Sequence, residues 1–214
     1  MNTTGKIGRN GILLVCAVTF TFGSHQASGM QFTGTPLRTI RAAAQAGDVA
    51  AQDTLATVFI ERGNFLAAEL WYRDAAKQGQ ALAQVRLGEM LLAHAGLTAQ
   101  VARESAMAMA SEAIKWLTLA ANGGDTLAQA ELAGIYLSGQ SVKADLLEAY
   151  KWGDIAAKAP QSIPGSIAGE SLRNTAALKM SIDQIAQAKQ RVATFYSHVP
   201  STPNGPGNQA ERHG

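Results

Sequence analysis

The chain repeats itself, and the repeat limits what it can fold into. Its three tryptophans align: Ala75-Ala76 stands four residues after Trp71, Ala120-Ala121 four after Trp116, and Ala156-Ala157 four after Trp152. An Ala stands three before each, at Ala68, Ala113 and Ala149. With Ala43-Ala44 added, each Ala-Ala pair is followed by a Gly four residues after its first Ala, at Gly47, Gly79 and Gly124. Four residues further comes Ala-Gln: Ala51-Gln52, Ala83-Gln84 and Ala128-Gln129. Then follow a Leu (Leu55, Leu87, Leu132), a small residue (Ala56, Gly88, Ala133) and, four after the Leu, a large apolar one (Phe59, Leu91, Tyr136).

The first Ala of successive pairs recurs after 32, 45 and 36 residues. The interval from the large apolar residue to the Ala before Trp is 9, 22 and 13 residues, so this one connection holds all the length variation. Constant spacing elsewhere is what packed elements require. Each unit reads as two antiparallel helices. Helix A carries Ala51, Leu55 and Phe59 at i, i+4 and i+8, an apolar stripe. Helix B carries Ala68, Trp71 and Ala75 at i, i+3 and i+7. The Gly after helix B suits a left-handed C′ position. Asn64 and Asp145 are expected N-caps of helix B. Forty of the 214 residues are Ala, the best helix former and a poor strand former. The expectation is all-α: a right-handed α-solenoid in which neighbouring pairs complete each other's core.

These residues resemble the Sel1-like repeat, the variable-length relative of the tetratricopeptide repeat. The third unit, residues 120–152, carries the resemblance best. It has Gly139, Val142, Asp145, Ala149 and Trp152 at the family's loop and second-helix spacing. The first unit lacks most of that loop, and the second replaces it with HAGLTAQVARESAMAMASE. Residues 171–196 are similar to the helical segment that closes bacterial proteins of this family. Ser181 to Gln184 there reads as a capping box. The expected organisation is a solenoid over residues 36–198, with repeats at about 43–74, 75–119 and 120–155 and capping helices to 198. A lead-in helix is expected over 36–46, with Pro36 at its first turn. Pro160 stands where a fourth Gly belongs, so residues 160–169 read as a loop.

The first 29 residues have the layout of a secretory signal peptide. Lys6 and Arg9 precede an apolar run, Gly11 to Phe22, and small residues follow. The run is shorter than the ~20 residues of a spanning helix. Cys16, the one cysteine, falls inside it, so a mature chain has no disulfide, thiolate metal site or Cys nucleophile. Removing residues 1–29 leaves 16 basic and 16 acidic residues. With no basic run, the electrostatic footprint of a nucleic-acid binder is missing. Residues 199–214 are polar and rich in Pro and Gly, and read as a disordered tail.

No catalytic, cofactor-binding or metal-binding residue is assigned, and no cofactor is expected. His94, His198 and His213 lie far apart, with no His-Glu-x-x-His. His94 is expected just past a helix A, where it would face the helix dipole. Gly165-Ser166-Ile167-Ala168-Gly169 has Ile where a nucleophile elbow has Ser. The acidic residues fall mostly at expected solvent positions. The tryptophans read as core residues, with a ligand platform as the other reading. Gln52, Gln84 and Gln129 read as hydrogen-bonding a neighbouring repeat's backbone, with ligand contact as the other reading. Met107 and Met109, in the long second connection at about 94–112, either fill a longer helix B or form an adaptable binding surface.

The resemblance implies an adaptor or regulator that binds another protein or peptide on the concave helix A face. Arg86 and Glu131 are expected to lie exposed there. The expected place is the periplasm or beyond, envelope-associated without a membrane span, and without catalysis. Two alternatives are a structural subunit of an envelope, exopolysaccharide or secretion complex, and an enzyme acting on cell-wall material.

Overall fold

The computed structural model describes residues 34–198. The expected leader with Cys16, and the expected tail with His213, lie outside the described residues. Those residues form helices α1 (Leu37–Gln45), α2 (Val49–Glu61), α3 (Phe65–Lys77), α4 (Ala81–Thr98), α5 (Arg103–Asn122), α6 (Thr126–Ser138), α7 (Leu146–Ala157), α8 (Ser166–Ala177) and α9 (Ile182–His198). No strand occurs among them. The helix A–helix B pairs are α2–α3, α4–α5 and α6–α7. Each helix packs on the next along the chain as far as α8, the pattern of an α-solenoid.

The repeat motif describes the joint between units. At the end of α5, Gly124 N–H donates to Ala121 O and Asp125 N–H to Ala120 O, a Schellman hook. Gly124 sits at φ +93°, where a side chain would strain the backbone. Asp125 then accepts from Ala128 N–H and opens α6. Finally, Gln129 Nε2 reaches back eight residues and donates to Ala121 O at 3.0 Å. The other two joints repeat this: Gln52 donates to Ala44 O and Gln84 to Ala76 O. The recurring Gln therefore satisfies a carbonyl that the end of helix B would leave half-used. Of the paired Ala at these joints, Ala44, Ala75, Ala76, Ala120 and Ala121 are buried and Ala43 is half-buried, because helix A folds back over them.

The core is a row of clusters, one at each seam. Ile40, Ala44, Ala51 and Leu55 make the first, Tyr72, Ala76, Leu87 and Leu91 the next, and Leu117, Leu132, Trp152 and Val192 another. The stripe residues Leu55, Leu87 and Leu132 are wholly buried. The small residue beside each Leu is required by closeness: a Cβ on Gly88 would stand 2.7 Å from Leu117 Cγ. Trp152 is buried in the Leu117–Leu132 cluster, while Trp71 and Trp116 are half-buried against the Tyr72–Leu91 cluster.

The long second connection is not a loop. It lengthens both arms, so α4 has 18 residues and α5 has 20, against 13 each for α2 and α3. Ala95, Ala106 and Ala110 pack between the arms, with Met109 and Val142 against them. The methionines divide: Met109 is half-buried, while Met107 is 58% exposed. His94, expected past the helix end, lies inside α4, because α4 runs on to Thr98.

The closing segment departs from expectation at one point. The loop expected over 160–169 ends at Gly165, and residues 166–169 belong to α8. Pro160 has no N–H for the hook, so the chain leaves the repeat path. It turns at Gly165, φ +95°, where a Cβ would lie 2.5 Å from Thr126 O. From there α8 packs on both α6 and α7. The Ser181–Gln184 capping box forms in both directions: Ser181 N–H donates to Gln184 Oε1 at 2.8 Å, and Gln184 N–H to Ser181 Oγ at 3.2 Å.

Candidate functional site

The residues just after each Ala-Gln lie along one flank of helix A. In α2 they include Asp53 and Thr57, in α4 Arg86 and Glu89, and in α6 Glu131. Stacking brings these flanks together. Asp53 is only 7% exposed. The side chains of Arg86 and Glu89 are 19% and 14% exposed, and Arg86 Nη1 meets Glu89 Oε2 at 3.4 Å. The carboxyl of Glu131 on α6 stands beside that of Glu89 on α4, which links the second and third units. Tyr72, reaching in from α3, places its hydroxyl 3.3 Å from Thr57 Oγ1. The result is a polar strip across three units in which Thr57 is exposed, Arg86, Glu89 and Glu131 are half-buried, and Asp53 and Tyr72 are buried.

Its electrostatics follow from burial. Desolvation raises the Asp53 carboxyl, and the Arg86 charge opposes the rise. Burial also raises the Tyr72 hydroxyl, against its bond to Thr57. Glu131 is pushed up to about 8, first by desolvation and then by the neighbouring Glu89. Burial beside a second carboxyl thus favours the neutral form of Glu131.

Arg86 and Glu131 were expected on the exposed part of the face, and the acidic residues mostly in solvent. The structure corrects both. Adjacent helix A flanks approach closely enough to shield these groups, and only the inter-helix spacing decides that. One signal was present: Arg86 and Glu131 occupy the same slot of consecutive repeats, third after the Ala of Ala-Gln. The recurring Gln side chains are buried in the joints and line no site. His94 stands exposed on α4, and His198 ends α9 with Nδ1 2.8 Å from Thr194 O. Among the described residues no group of His, Cys, Asp and Glu could hold a metal ion. No described helix is long and apolar enough to cross a membrane.

Its structural neighbours are Sel1 repeat proteins. One is a Sel1 repeat protein from Oxalobacter formigenes, 25% identical, with a TM-score of 0.42 over 74% of this chain and 97% of that one. Another is a protective antigen of uropathogenic Escherichia coli strains displaying an SLR fold. It is 24% identical, with a TM-score of 0.40 over 76% of this chain. The match spans 41% of that longer chain. No protein-family model matches the sequence, and no curated protein does. In this chain's own joints the hook and the Gln bond recur three times, and the Asp cap twice.

Proposed function

We propose that the protein is an exported adaptor that binds a segment of another protein along the helix A face of α2, α4 and α6. The observation that carries this is the partly exposed strip of Thr57, Arg86, Glu89 and Glu131. Charged groups in partly excluded water discriminate between partners more sharply than charges in open solvent. Stacked pairs present equivalent positions in a line, so an extended segment meets one unit after another. Export to the periplasm or beyond rests on the leader pattern of residues 1–29.

The test is site-specific photocrosslinking in intact cells. A photoreactive residue at position 57 sits on exposed Thr57, beside the strip but outside the Arg86–Glu89–Glu131 contacts. A second probe replaces exposed Met107 on the long hairpin. One strong protein adduct from position 57 is the expected result, and mass spectrometry then names the partner. An adduct from position 107 alone moves binding to the hairpin and ends the helix A proposal. Export is checked by the N-terminus of the protein recovered from cell fractions. A new N-terminus near residues 24–30 in the exported fraction is expected. Intact protein starting at Met1 in the cytosol overturns export.

A further inference from the structure

A cleft of about 810 Å³ opens between the end of α5, α7 and α9. That volume lies within the ~300–1,000 Å³ of ordinary ligand pockets. None of its lining residues belongs to α2, α4 or α6, so it is separate from the helix A face.

One carboxylate organises its charge. Glu148 of α7 accepts from Lys151 Nζ at 2.5 Å through one oxygen, and from Arg191 Nη1 of α9 at 2.7 Å through the other. One negative charge thus holds two positive ones, and a single positive charge is left over. Lys carries three N–H donors and Arg five. Glu148 takes one from each, so donors remain on both. Lys151 is further fixed by standing 4.3 Å over the Trp152 ring. Phe195 packs edge-on against that ring at 5.6 Å and gives the cleft an apolar wall. Gln187 and Gln190 line it as well, and an amide side chain pairs with a peptide group as donor and acceptor at once. The C-terminal end of α5 would repel an anion. However, Leu119, Ala120 and Ala121 already accept from the N–H groups of Gly123, Asp125 and Gly124.

We propose that this cleft binds an acidic segment of a protein partner. A side-chain carboxylate bridges Lys151 and Arg191, Gln187 and Gln190 hold the flanking backbone, and a neighbouring apolar side chain lies on Phe195. A neutral ligand would leave the surplus charge unpaired, so charge complementarity selects an anion. The amides and the ring select a peptide chain to carry it.

The test titrates isotope-labelled protein with an acetylated peptide of alternating Glu and Leu, and with its Gln/Leu counterpart, followed by NMR. The Glu/Leu peptide is expected to shift Lys151, Gln187 and Arg191, and to bind at least about tenfold more tightly than the Gln/Leu peptide at low salt. The advantage should shrink as ionic strength rises past about 0.15 M. Arg191→Gln, at a side chain 43% exposed, should remove most of the difference without unfolding the protein. Gln190→Glu, at an exposed rim position, should abolish Glu/Leu binding by repulsion. Equal binding of the two peptides, or no binding of either, overturns the proposal. So does binding whose shifts fall only on Asp53, Arg86 and Glu131, which would assign the peptide to the helix A face. Occupation of the cleft by oligogalacturonate while the peptides stay free would make it a glycan site and equally end the proposal.

Discussion

At the scale of the residue, each joint assigns one job to each position. The residue after the Gly closes one helix with its N–H and opens the next with its side chain. Asp48 and Asp125 do both, accepting from Ala51 and Ala128 N–H at 2.8 Å. The middle joint has Gln80 instead, which closes α3 but makes no side-chain cap on α4. Its Oε1 is buried without a hydrogen-bond partner among the described residues. Gln80→Asp therefore supplies a missing cap and removes an unsatisfied atom. It should stabilise the fold by about 1 kcal/mol, a rise in Tm of roughly 2–4 °C at this size. Thermal unfolding followed by circular dichroism reads this directly. An unchanged or lowered Tm would mean that the second joint does not share the geometry of the other two.

At the scale of the element, closeness decides which substitutions a helix tolerates. In α7, a Cβ on Gly153 would stand 2.8 Å from Gly169 O and 2.9 Å from Arg173 N, both backbone atoms of α8. Backbone cannot rotate aside, so Gly153→Ala has to push α8 away, at a cost of about 1–3 kcal/mol. Gly134, inside α6, would meet only Leu172 Cδ1 at 3.9 Å. There, Gly134→Ala should gain about 0.5–1 kcal/mol by removing backbone freedom from the unfolded chain. Denaturant unfolding of the two variants should give opposite signs, and equal signs would contradict the α7–α8 contact. The sequence alone does not rank these glycines. Both sit in helical stretches, and only the partner helix distinguishes them. The same holds for α8 itself, whose first turn was hidden in a Pro- and Gly-containing stretch. Its start is set by contact with Thr126 and Leu127 of α6, not by a local signal.

At the scale of the molecule, stacking gathers charges that lie far apart in the chain. Glu131 provides the test. Burial and the neighbouring Glu89 raise its folded pKa to about 8, from the 4.5 of an ordinary glutamate. Between those values the folded state holds more protons than the unfolded state. The stability this group adds is then complete below about pH 4.5 and is lost as pH rises to and through 8. Glu131→Gln keeps a neutral donor facing Glu89 and has no proton to lose. The wild type should lose more Tm than this variant between about pH 5 and pH 9, with the two curves diverging above neutrality. Parallel curves would show that Glu131 holds no extra proton in the folded state. Arg86, beside the pair, opposes the shift but is outweighed by desolvation and by Glu89.

Sequence by itself determined the local parts of this protein. Helix pairs, their fixed joints, the caps at Asn64 and Asp145 and the Ser181 box all depend on residues within about ten positions of each other. Short-range hydrogen bonds and the helical period set them, so they are visible in spacing. The role of the recurring Gln was legible for the same reason, since its partner lies eight residues back in every unit. Tertiary structure decided the rest. Whether a charged flank faces water or another helix depends on the distance between units, as for Asp53, Glu89 and Glu131. The cleft beside Phe195 exists because α9 packs on α7. Its Glu148–Arg191 pair joins residues 43 positions apart. Such contacts leave no periodic trace in the chain, because burial is a property of the packed array.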